Sequence, residues 1–291
     1  GRVSGGYPPS ASLWDICTHR KGEGVTPPPL ALRAGAHLTK APLWGLWFPM
    51  AEKKPQTKKT EPAAILPLWR RVLRWIGRIL GGVVAFYLGL IVLFSFLPPP
   101  GNIYQWQESW RLGGIERQWV SWKDISPDMA RSAVAAEDAN FCLHWGFDIE
   151  QIRDAIANGK QRGASTISQQ VVKNVFLWQG RSYLRKALEA IITPVVELMW
   201  SKQRILEVYL NEAEFAEGVF GVQAAAQVLF DTDAAQLTAT QSARLAAVLP
   251  NPKDRNAAKP SGFVRSHAAQ IRSGAETIKA DGRAACFETA D

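Results

Sequence analysis

The chain has few cysteines and lacks the motifs of common cofactor sites. Cys17, Cys142 and Cys286 are the only three in 291 residues, and their spacing fits neither a disulfide framework nor a metal site. Three cysteines cannot all pair within one chain, so a Cys142 to Cys286 bridge is an alternative that the sequence does not favour. Glycine-rich phosphate loops, H-E-x-x-H, G-x-S-x-G and paired C-x-x-C motifs are absent, which excludes most nucleotide-binding, zinc-hydrolase and serine-hydrolase functions.

Acidic residues are scarce in the N-terminal third. Residues 1–100 contain 13 Lys and Arg but only 4 Asp and Glu, whereas residues 101–291 contain 21 and 22. The overall charge of +8 is therefore +9 in the first part (13 minus 4) and −1 in the second (21 minus 22). A nucleic-acid-binding domain carries its basic charge on the folded part, so no nucleic-acid partner is predicted. With 47% hydrophobic residues, the chain as a whole is not a disordered protein.

The basic excess lies next to a long apolar run. Residues 79–97 are 19 consecutive uncharged residues, and a helix of that length spans about 28 Å, close to the hydrocarbon core of a bilayer. The preceding flank contains Lys53, Lys54, Lys58, Lys59, Arg70, Arg71, Arg74 and Arg78, whereas the 20 residues after Leu97 contain only Arg111 and Arg117. The positive-inside rule places the basic flank in the cytoplasm and the rest of the chain outside. A cleaved signal peptide and a buried core helix are the alternatives, but the run is longer than a signal peptide needs and ends in three prolines without a small-residue cleavage site.

The chain divides into five segments. Residues 1–49 show no sustained period and precede the first Met, Met50, so they are predicted to be an unstructured or upstream extension. Residues 50–78 form the basic cytoplasmic tail and 79–97 the transmembrane anchor. Residues 98–265 are the predicted catalytic domain, and 266–291 are a C-terminal tail of uncertain structure.

The sequence after the anchor predicts a mainly α-helical domain with weak strand signals. Helical patterns run over 129–136, 149–158, 166–176, 182–211, 221–229 and 238–248. Pro194 is predicted to kink or interrupt the longest of these. Four tryptophans follow the anchor, namely Trp106, Trp110, Trp119 and Trp122. We expect them to pack on the domain core, and contact with lipid is the alternative.

Three polar clusters carry the chemistry. Glu137 and Asp138 end a helix rich in Ala and Val, where desolvation would raise the pKa of a carboxyl group and suit it to act as a base. A solvated helix end is the ordinary alternative. The helix after Gly163 carries Gln169, Gln170, Lys173 and Asn174, and its N-terminal amides with Lys173 could hold a phosphate. On a third helix, Arg185 and Lys186 lie four and three residues before Glu189, so one helix face carries two cations and a carboxylate. A surface ion pair is the ordinary explanation of such spacing.

Together, these segments resemble the peptidoglycan glycosyltransferase family (glycosyltransferase family 51), particularly its monofunctional members. The matching patterns are E-D-x-x-F-x-x-H-x-G-x-D at 137–148, G-A-S-T-I-S-Q-Q-x-x-K-N at 163–174, R-K-x-x-E at 185–189 and K-Q-R-I-L-E-V-Y-L-N at 202–211. Four long motifs in the same order have a very low probability of matching by chance. The resemblance implies a lysozyme-like helical fold with a smaller membrane-facing lobe.

The resemblance also implies the reaction and its residues. The family elongates glycan strands from lipid II, a lipid-linked disaccharide diphosphate, and releases undecaprenyl diphosphate. Glu137 would deprotonate the acceptor 4-hydroxyl as it attacks the anomeric carbon, with inversion to a β-1,4 link, and Glu189 would be a second functional carboxylate. The diphosphate would be held by Lys173, Arg185 and Lys186. The remaining implied substrate-binding residues are Ser165, Gln169, Asn174, Asp138 and His144.

The same resemblance implies the setting of the reaction. The substrates would be lipid II and the growing glycan strand, in contact with membrane lipid. The chain would be a single-pass protein of the bacterial inner membrane, with its N-terminus in the cytoplasm and its catalytic domain in the periplasm. Cell-division or other cell-wall synthesis proteins are candidate partners.

Elementary chemistry favours transfer over hydrolysis. A glycosidase must protonate an alkoxide leaving group and therefore needs an acid beside its base or nucleophile. A diphosphate leaves readily once cations neutralise its charge. A lysozyme-like lytic enzyme and a non-catalytic membrane scaffold remain the alternatives. No metal site is predicted, and the sequence requires no cofactor. The sequence leaves open whether a divalent cation assists the reaction.

Overall fold

The computed structural model describes residues 68–157, 165–180 and 182–288. The predicted extension at 1–49 and most of the predicted basic tail at 50–78 lie outside the described residues. The first described element is a helix, α1 (Leu68–Phe96), which is long and apolar enough to cross a membrane. It begins 11 residues before the predicted anchor (79 minus 68) and therefore includes Arg70, Arg71, Arg74 and Arg78 in its first turns.

A mainly helical domain follows, which confirms the predicted fold class. Its helices are α2 (Ile103–Leu112), α3 (Pro127–Glu137), α4 (Ile149–Ala157), α5 (Ile167–Phe176), α6 (Tyr183–Met199), α7 (Lys202–Glu212), α8 (Val222–Phe230), α9 (Ala239–Val248) and α10 (Gly262–Ala280). Short 3-10 turns lie at Trp122–Asp124 and Ala234–Gln236. Three strands, β1 (Glu116–Arg117), β2 (Glu214–Ala216) and β3 (Val219–Phe220), form a small sheet in the order β1-β3-β2. Strand β3 pairs parallel with β1 and antiparallel with β2.

The core is built from two helix groups. Helices α3, α9 and α10 pack against one another, while α5 packs against both α6 and α7. Their inward faces supply fully buried apolar side chains such as Met129, Ile167, Leu206 and Leu245. The proposed catalytic segments lie on α3, α5 and α6, so both helix groups contribute to the site.

Three details differ from the sequence prediction. The pattern over 182–211 is two helices, because the chain leaves helical geometry at Trp200 and Ser201, and the Ser201 side chain caps α7 by accepting from the backbone N–H of Arg204 at 3.1 Å. Pro194 lies inside α6 without ending it, which corrects the predicted interruption. The predicted domain boundary at residue 265 falls inside α10, which packs on the core up to its last turn through Ile278.

The end of α1 is hydrogen-bonded to the domain that follows it. The Arg204 guanidinium donates to the carbonyl oxygens of Phe94, at 2.9 and 3.1 Å, and of Leu97, at 2.7 Å. Trp200 Nε1 donates to the carbonyl of Ile91 at 2.8 Å. Phe94 lies in the last turn of α1, where carbonyls lack internal donors, and Leu97 directly follows the helix. Helix α1 is therefore packed against the domain at this end.

We expect Arg204→Met to loosen this junction. Hydrogen bonds to a charged group contribute roughly 1.5–3 kcal/mol, so amide hydrogen exchange in residues 92–104 should accelerate by an order of magnitude or more. Glu207→Gln is the matched control, because it removes the charge that pairs with Arg204 at 2.7 Å and leaves the carbonyl contacts in place. Equal exchange rates in the two variants would contradict this role of Arg204.

Candidate active site

Glu137 is the last residue of α3 and the centre of the site. Its half-buried side chain follows the buried residues Ala133 and Val134. Gln170 Nε2 donates to Glu137 Oε2 at 2.8 Å. Burial raises the pKa of the Glu137 carboxyl, while the Gln170 hydrogen bond and the positive charge of Lys173 oppose that rise. A carboxylate with a raised pKa and a fixed orientation is suited to accept a proton.

Asp138 and His144 hold the start of α5 against the end of α3. Their side chains are 1% and 8% exposed, and His144 Nε2 lies 2.8 Å from Asp138 Oδ1. Asp138 Oδ2 accepts from the backbone N–H of Ile167, the first residue of α5, at 3.0 Å. Both were predicted to bind substrate, and the structure places their contacts inside the protein. They fix the position of the helix that carries Gln170 and Lys173.

The two adjacent glutamines in the first turn of α5 make different contacts. Gln169 is buried and forms a capping box with Thr166, in which the Gln169 side chain accepts from the Thr166 backbone N–H at 3.1 Å. The next residue, Gln170, is the one that contacts Glu137. The sequence prediction selected Gln169 for the site and missed Gln170. The signal was present, since Gln170 and Asn174 are four residues apart on the same helix face as Lys173.

Helix α6 adds two further cations around a buried carboxylate. The Glu189 side chain is 3% exposed, and it accepts from Arg185 Nη1 at 2.7 Å and from Lys186 Nζ. Lys186 Nζ also donates to the exposed Ser165 Oγ at 3.2 Å, which joins α6 to the start of α5. Because each oxygen of Glu189 already faces a cation, its arrangement is suited to orienting Arg185 and Lys186.

Lys173 connects the two halves of the site. Burial lowers the pKa of its ammonium group, whereas the charges of Glu189 and Glu137 raise it. Lys173, Gln170 and Asn174 line a polar cavity of about 170 Å³ that also includes Tyr209 and Glu212. Three cations, Lys173, Arg185 and Lys186, thus accompany one fully paired carboxylate next to Glu137. Three cations in one site are suited to bind a group that carries several negative charges.

One group of side chains has the composition of a metal site. Asp138, His144 and Asp148 offer ligand atoms that lie within 4.8 Å of one another. Asp148 accepts from Asn140 Nδ2 at 2.9 Å and from the backbone N–H of Gln151 at 2.8 Å. Since N–H donors already serve these carboxylates, the group is explained as a hydrogen-bonded network that does not require a cation.

A disulfide joins the segment between α3 and α4 (residues 138–148, called here the catalytic loop) to the turns that follow α10. Cys142 and Cys286 are bonded, with their Cα atoms 5.6 Å apart and their positions separated by 144 in sequence. Arg283 Nη1 donates to the carbonyl of Ala139 at 3.0 Å, and the Phe287 ring packs on Phe141 at a centroid distance of 6.4 Å. The sequence did not favour this bridge, because the two cysteines meet only after α10 packs on α3. The last turns of the chain therefore clamp the loop between Glu137 and His144.

We expect the Cys142→Ser/Cys286→Ser double variant to lose stability. A native disulfide that closes a long loop typically contributes about 2–5 kcal/mol, so thermal unfolding should begin at a clearly lower temperature. Dithiothreitol should lower the wild-type midpoint in the same way and leave the double variant unchanged. Cys17→Ser is the control, since Cys17 lies outside the described residues and has no part in the bridge. A reductant effect in the double variant would contradict the assignment.

Comparison with known proteins identifies the family of the chain. Residues 107–276 match the family model described as Transglycosylase. The chain is 58% identical over 238 residues to the biosynthetic peptidoglycan transglycosylase of Jannaschia sp. (strain CCS1), covering 82% of this chain and 99% of that protein. It is 48% identical over 211 residues to the protein of the same name from Pseudomonas entomophila (strain L48), covering 69% and 89%. The matched region includes Glu137, α5, α6 and most of α10, and with these similarities the chain belongs to the transglycosylase family.

Proposed function

We infer that this chain is a peptidoglycan glycosyltransferase that polymerises glycan strands. The observation that carries the inference is a half-buried carboxylate with a raised pKa, Glu137, in the same site as three cations. A base activates the acceptor, and the cations stabilise the leaving group. Both relatives are named biosynthetic peptidoglycan transglycosylase, and the sequence identity extends that activity to this chain.

The proposed reaction balances as a single displacement. The acceptor 4-hydroxyl of lipid II gives its proton to Glu137 as its oxygen attacks the anomeric carbon of the growing strand. The bond from that carbon to the diphosphate oxygen breaks with inversion, which forms a β-1,4 link and releases undecaprenyl diphosphate. Gln170 holds Glu137 at 2.8 Å and so fixes the direction of the accepting oxygen.

The cations are proposed to receive the leaving group. Lys173, Arg185 and Lys186 supply positive charge where negative charge develops on the diphosphate. Glu189 orients Arg185 and Lys186 through its paired oxygens. Ser165 and Asn174 contact members of this group or line the same cavity.

A lytic enzyme needs a second feature that the described residues do not offer. Hydrolysis of a glycosidic bond uses two carboxyl groups, one that donates a proton to the leaving oxygen and a second that acts as nucleophile or base. Glu137, with its raised pKa, could supply only the first. In the described part of the site, Asp138 accepts from a backbone N–H and contacts His144, and Glu189 faces two cations. Each already serves these partners, so neither is free to act as the second carboxyl group beside Glu137. The geometry therefore supports transfer better than cleavage.

The proposed location is the periplasmic face of the bacterial inner membrane. Helix α1 supplies one membrane span, and its cationic residues lie in its first turns. The Cys142 to Cys286 bridge adds an independent argument, because disulfides persist in oxidising compartments outside the cytoplasm. Lipid II, the growing strand and membrane lipid are the proposed partners, and division or other cell-wall synthesis proteins are candidates.

The test offers two substrates to the same purified chain. Lipid II in detergent micelles should be converted to polymer, whereas finished, uncrosslinked glycan strands should remain at their original length. Gel separation of labelled products reads both reactions. Shortened strands without polymer would favour the lytic alternative, and no change in either substrate would favour a scaffold.

A further inference from the structure

Helix α2, the first helix after the anchor, has its polar and apolar faces reversed relative to an ordinary surface helix. Gln105 and Glu108 are buried, at 1% and 6% exposure. Trp106 and Trp110 on the outer face are 72% and 88% exposed. This corrects the expectation that these two tryptophans pack on the core. Trp119 and Trp122, in contrast, do pack against it.

The buried polar face fixes the orientation of α2. Gln105 Nε2 and Asn102 Nδ2 both donate to Glu212 Oε2, at 2.9 and 2.8 Å. Glu108 pairs with Arg111 at 2.5 Å and with Lys253 at 2.8 Å. Rotation of the helix would leave these buried groups without partners, which costs about 1–3 kcal/mol for each. The tryptophans are therefore held on the outside by the groups behind them.

The outer face borders an apolar groove. Pro100, Gly101, Ile103, Trp106 and Trp110, together with Gln107, line a groove of about 770 Å³. Ile103, Trp106 and Trp110 are spaced by three and four residues and so form one stripe. Ile103 is also 53% exposed. Large exposed apolar patches of this kind mark contact with a membrane or another molecule.

The chain itself keeps this stripe near the end of the anchor. Helix α1 ends at Phe96 and α2 begins at Ile103, a separation of seven residues that spans at most about 25 Å when fully extended. The connection is also pinned, because Arg117 Nη2 donates to the Pro99 carbonyl at 2.7 Å. A stripe tethered this closely to a membrane-spanning helix lies within reach of the bilayer surface.

We propose that the outer face of α2 lies in the lipid interface beside the anchor, with Trp106 and Trp110 inserted among the headgroups and upper acyl chains. Tryptophan is the residue type most suited to this zone, since its ring is apolar and its N–H can still meet water. A second copy of the chain is a weaker occupant. A ten-residue helix is about 15 Å long, which offers much less than the roughly 800 Å² per partner of a stable dimer.

The contact would give the catalytic domain a second attachment to the bilayer. Helix α1 is packed on the domain, so the two can still tilt together in the bilayer, whereas an added interfacial stripe limits that tilt. The proposal does not depend on the chemistry assigned to Glu137, so the polymerisation assay reports separately on that chemistry.

The test measures the depth of a spin label on this face. In a Cys17→Ser background, Gln107→Cys places the label on the stripe, and Glu276→Cys on α10 is the matched aqueous control. Both positions are exposed. Each full-length protein is reconstituted in vesicles of phosphatidylethanolamine and phosphatidylglycerol, and label relaxation by oxygen and by a water-soluble nickel chelate is compared. We expect several-fold lower nickel accessibility and higher oxygen accessibility at 107 than at 276.

A second pair of variants links the result to the tryptophans. Adding Trp106→Gln and Trp110→Gln to the labelled protein should raise nickel accessibility at 107, whereas Trp106→Phe and Trp110→Phe should largely preserve the protection. Nickel accessibility at 107 equal to that at 276 would overturn the proposal. Protection from both reagents would also overturn it, because that result indicates a covering protein surface such as a second copy of the chain.

Discussion

Glu137→Gln is expected to slow glycan polymerisation by roughly 10³-fold, within the range that a general base contributes. The amide keeps the size of the carboxylate and one oxygen that can accept from Gln170, but it cannot accept the proton of the acceptor hydroxyl. Single-turnover consumption of labelled lipid II measures the effect. In the wild type, the rate should rise with pH through the folded-state pKa of Glu137, since only the ionised form acts as a base.

The same substitution provides its own folding control. A carboxyl group whose pKa is raised in the folded state contributes stability below its unfolded pKa, and that contribution is lost as pH rises through the folded pKa. At neutral pH, a permanently neutral Gln avoids the cost of burying the charge. The thermal midpoint of Glu137→Gln should therefore equal or exceed that of the wild type at neutral pH, with the difference shrinking in acid. A variant that polymerises normally, or that fails only because it unfolds, would contradict the role of Glu137.

Lys173→Met should have the second-largest effect, a fall in kcat of about 10²–10³-fold. Removing one preorganised group that stabilises developing charge typically costs this much. Lys173 is half-buried and faces the same cavity as Asn174, whereas the other two cations of the site are paired with Glu189. Steady-state kinetics with lipid II separate kcat from KM.

The control for Lys173 is an exposed lysine outside the site. Lys123→Met, in a surface 3-10 turn, changes the net charge by the same amount and should leave kcat unchanged. If Lys173→Met raised only KM, Lys173 would bind the substrate in its ground state without stabilising the leaving group. If both variants lost activity equally, the effect would be one of overall charge.

Much of the site could be predicted from the sequence because its signals are local. The apolar turns before Glu137 and the polar face of α5 each depend on spacing within one helix. The choice between Gln169 and Gln170 could not be made that way, because it depends on how α3 approaches the first turn of α5. The capping box takes Gln169, and only then does Gln170 face Glu137.

The features that the sequence left open depend on distant contacts. The Cys142 to Cys286 bridge forms because α10 brings the C-terminus across 144 residues to the catalytic loop. The outward position of Trp106 and Trp110 follows from Glu212, which binds the opposite face of α2 from a different helix. Helical periodicity alone favours burying the apolar face, and here buried polar partners reverse that choice.

The most direct test of the central claim is the stoichiometry of the reaction catalysed by the wild-type chain on lipid II. Mass spectrometry would count undecaprenyl diphosphate released, and NMR of the polymer would count new β-1,4 links. The account predicts one diphosphate for each link and inversion at every anomeric centre. Release of reducing sugar without new links, or links with retained configuration, would contradict it.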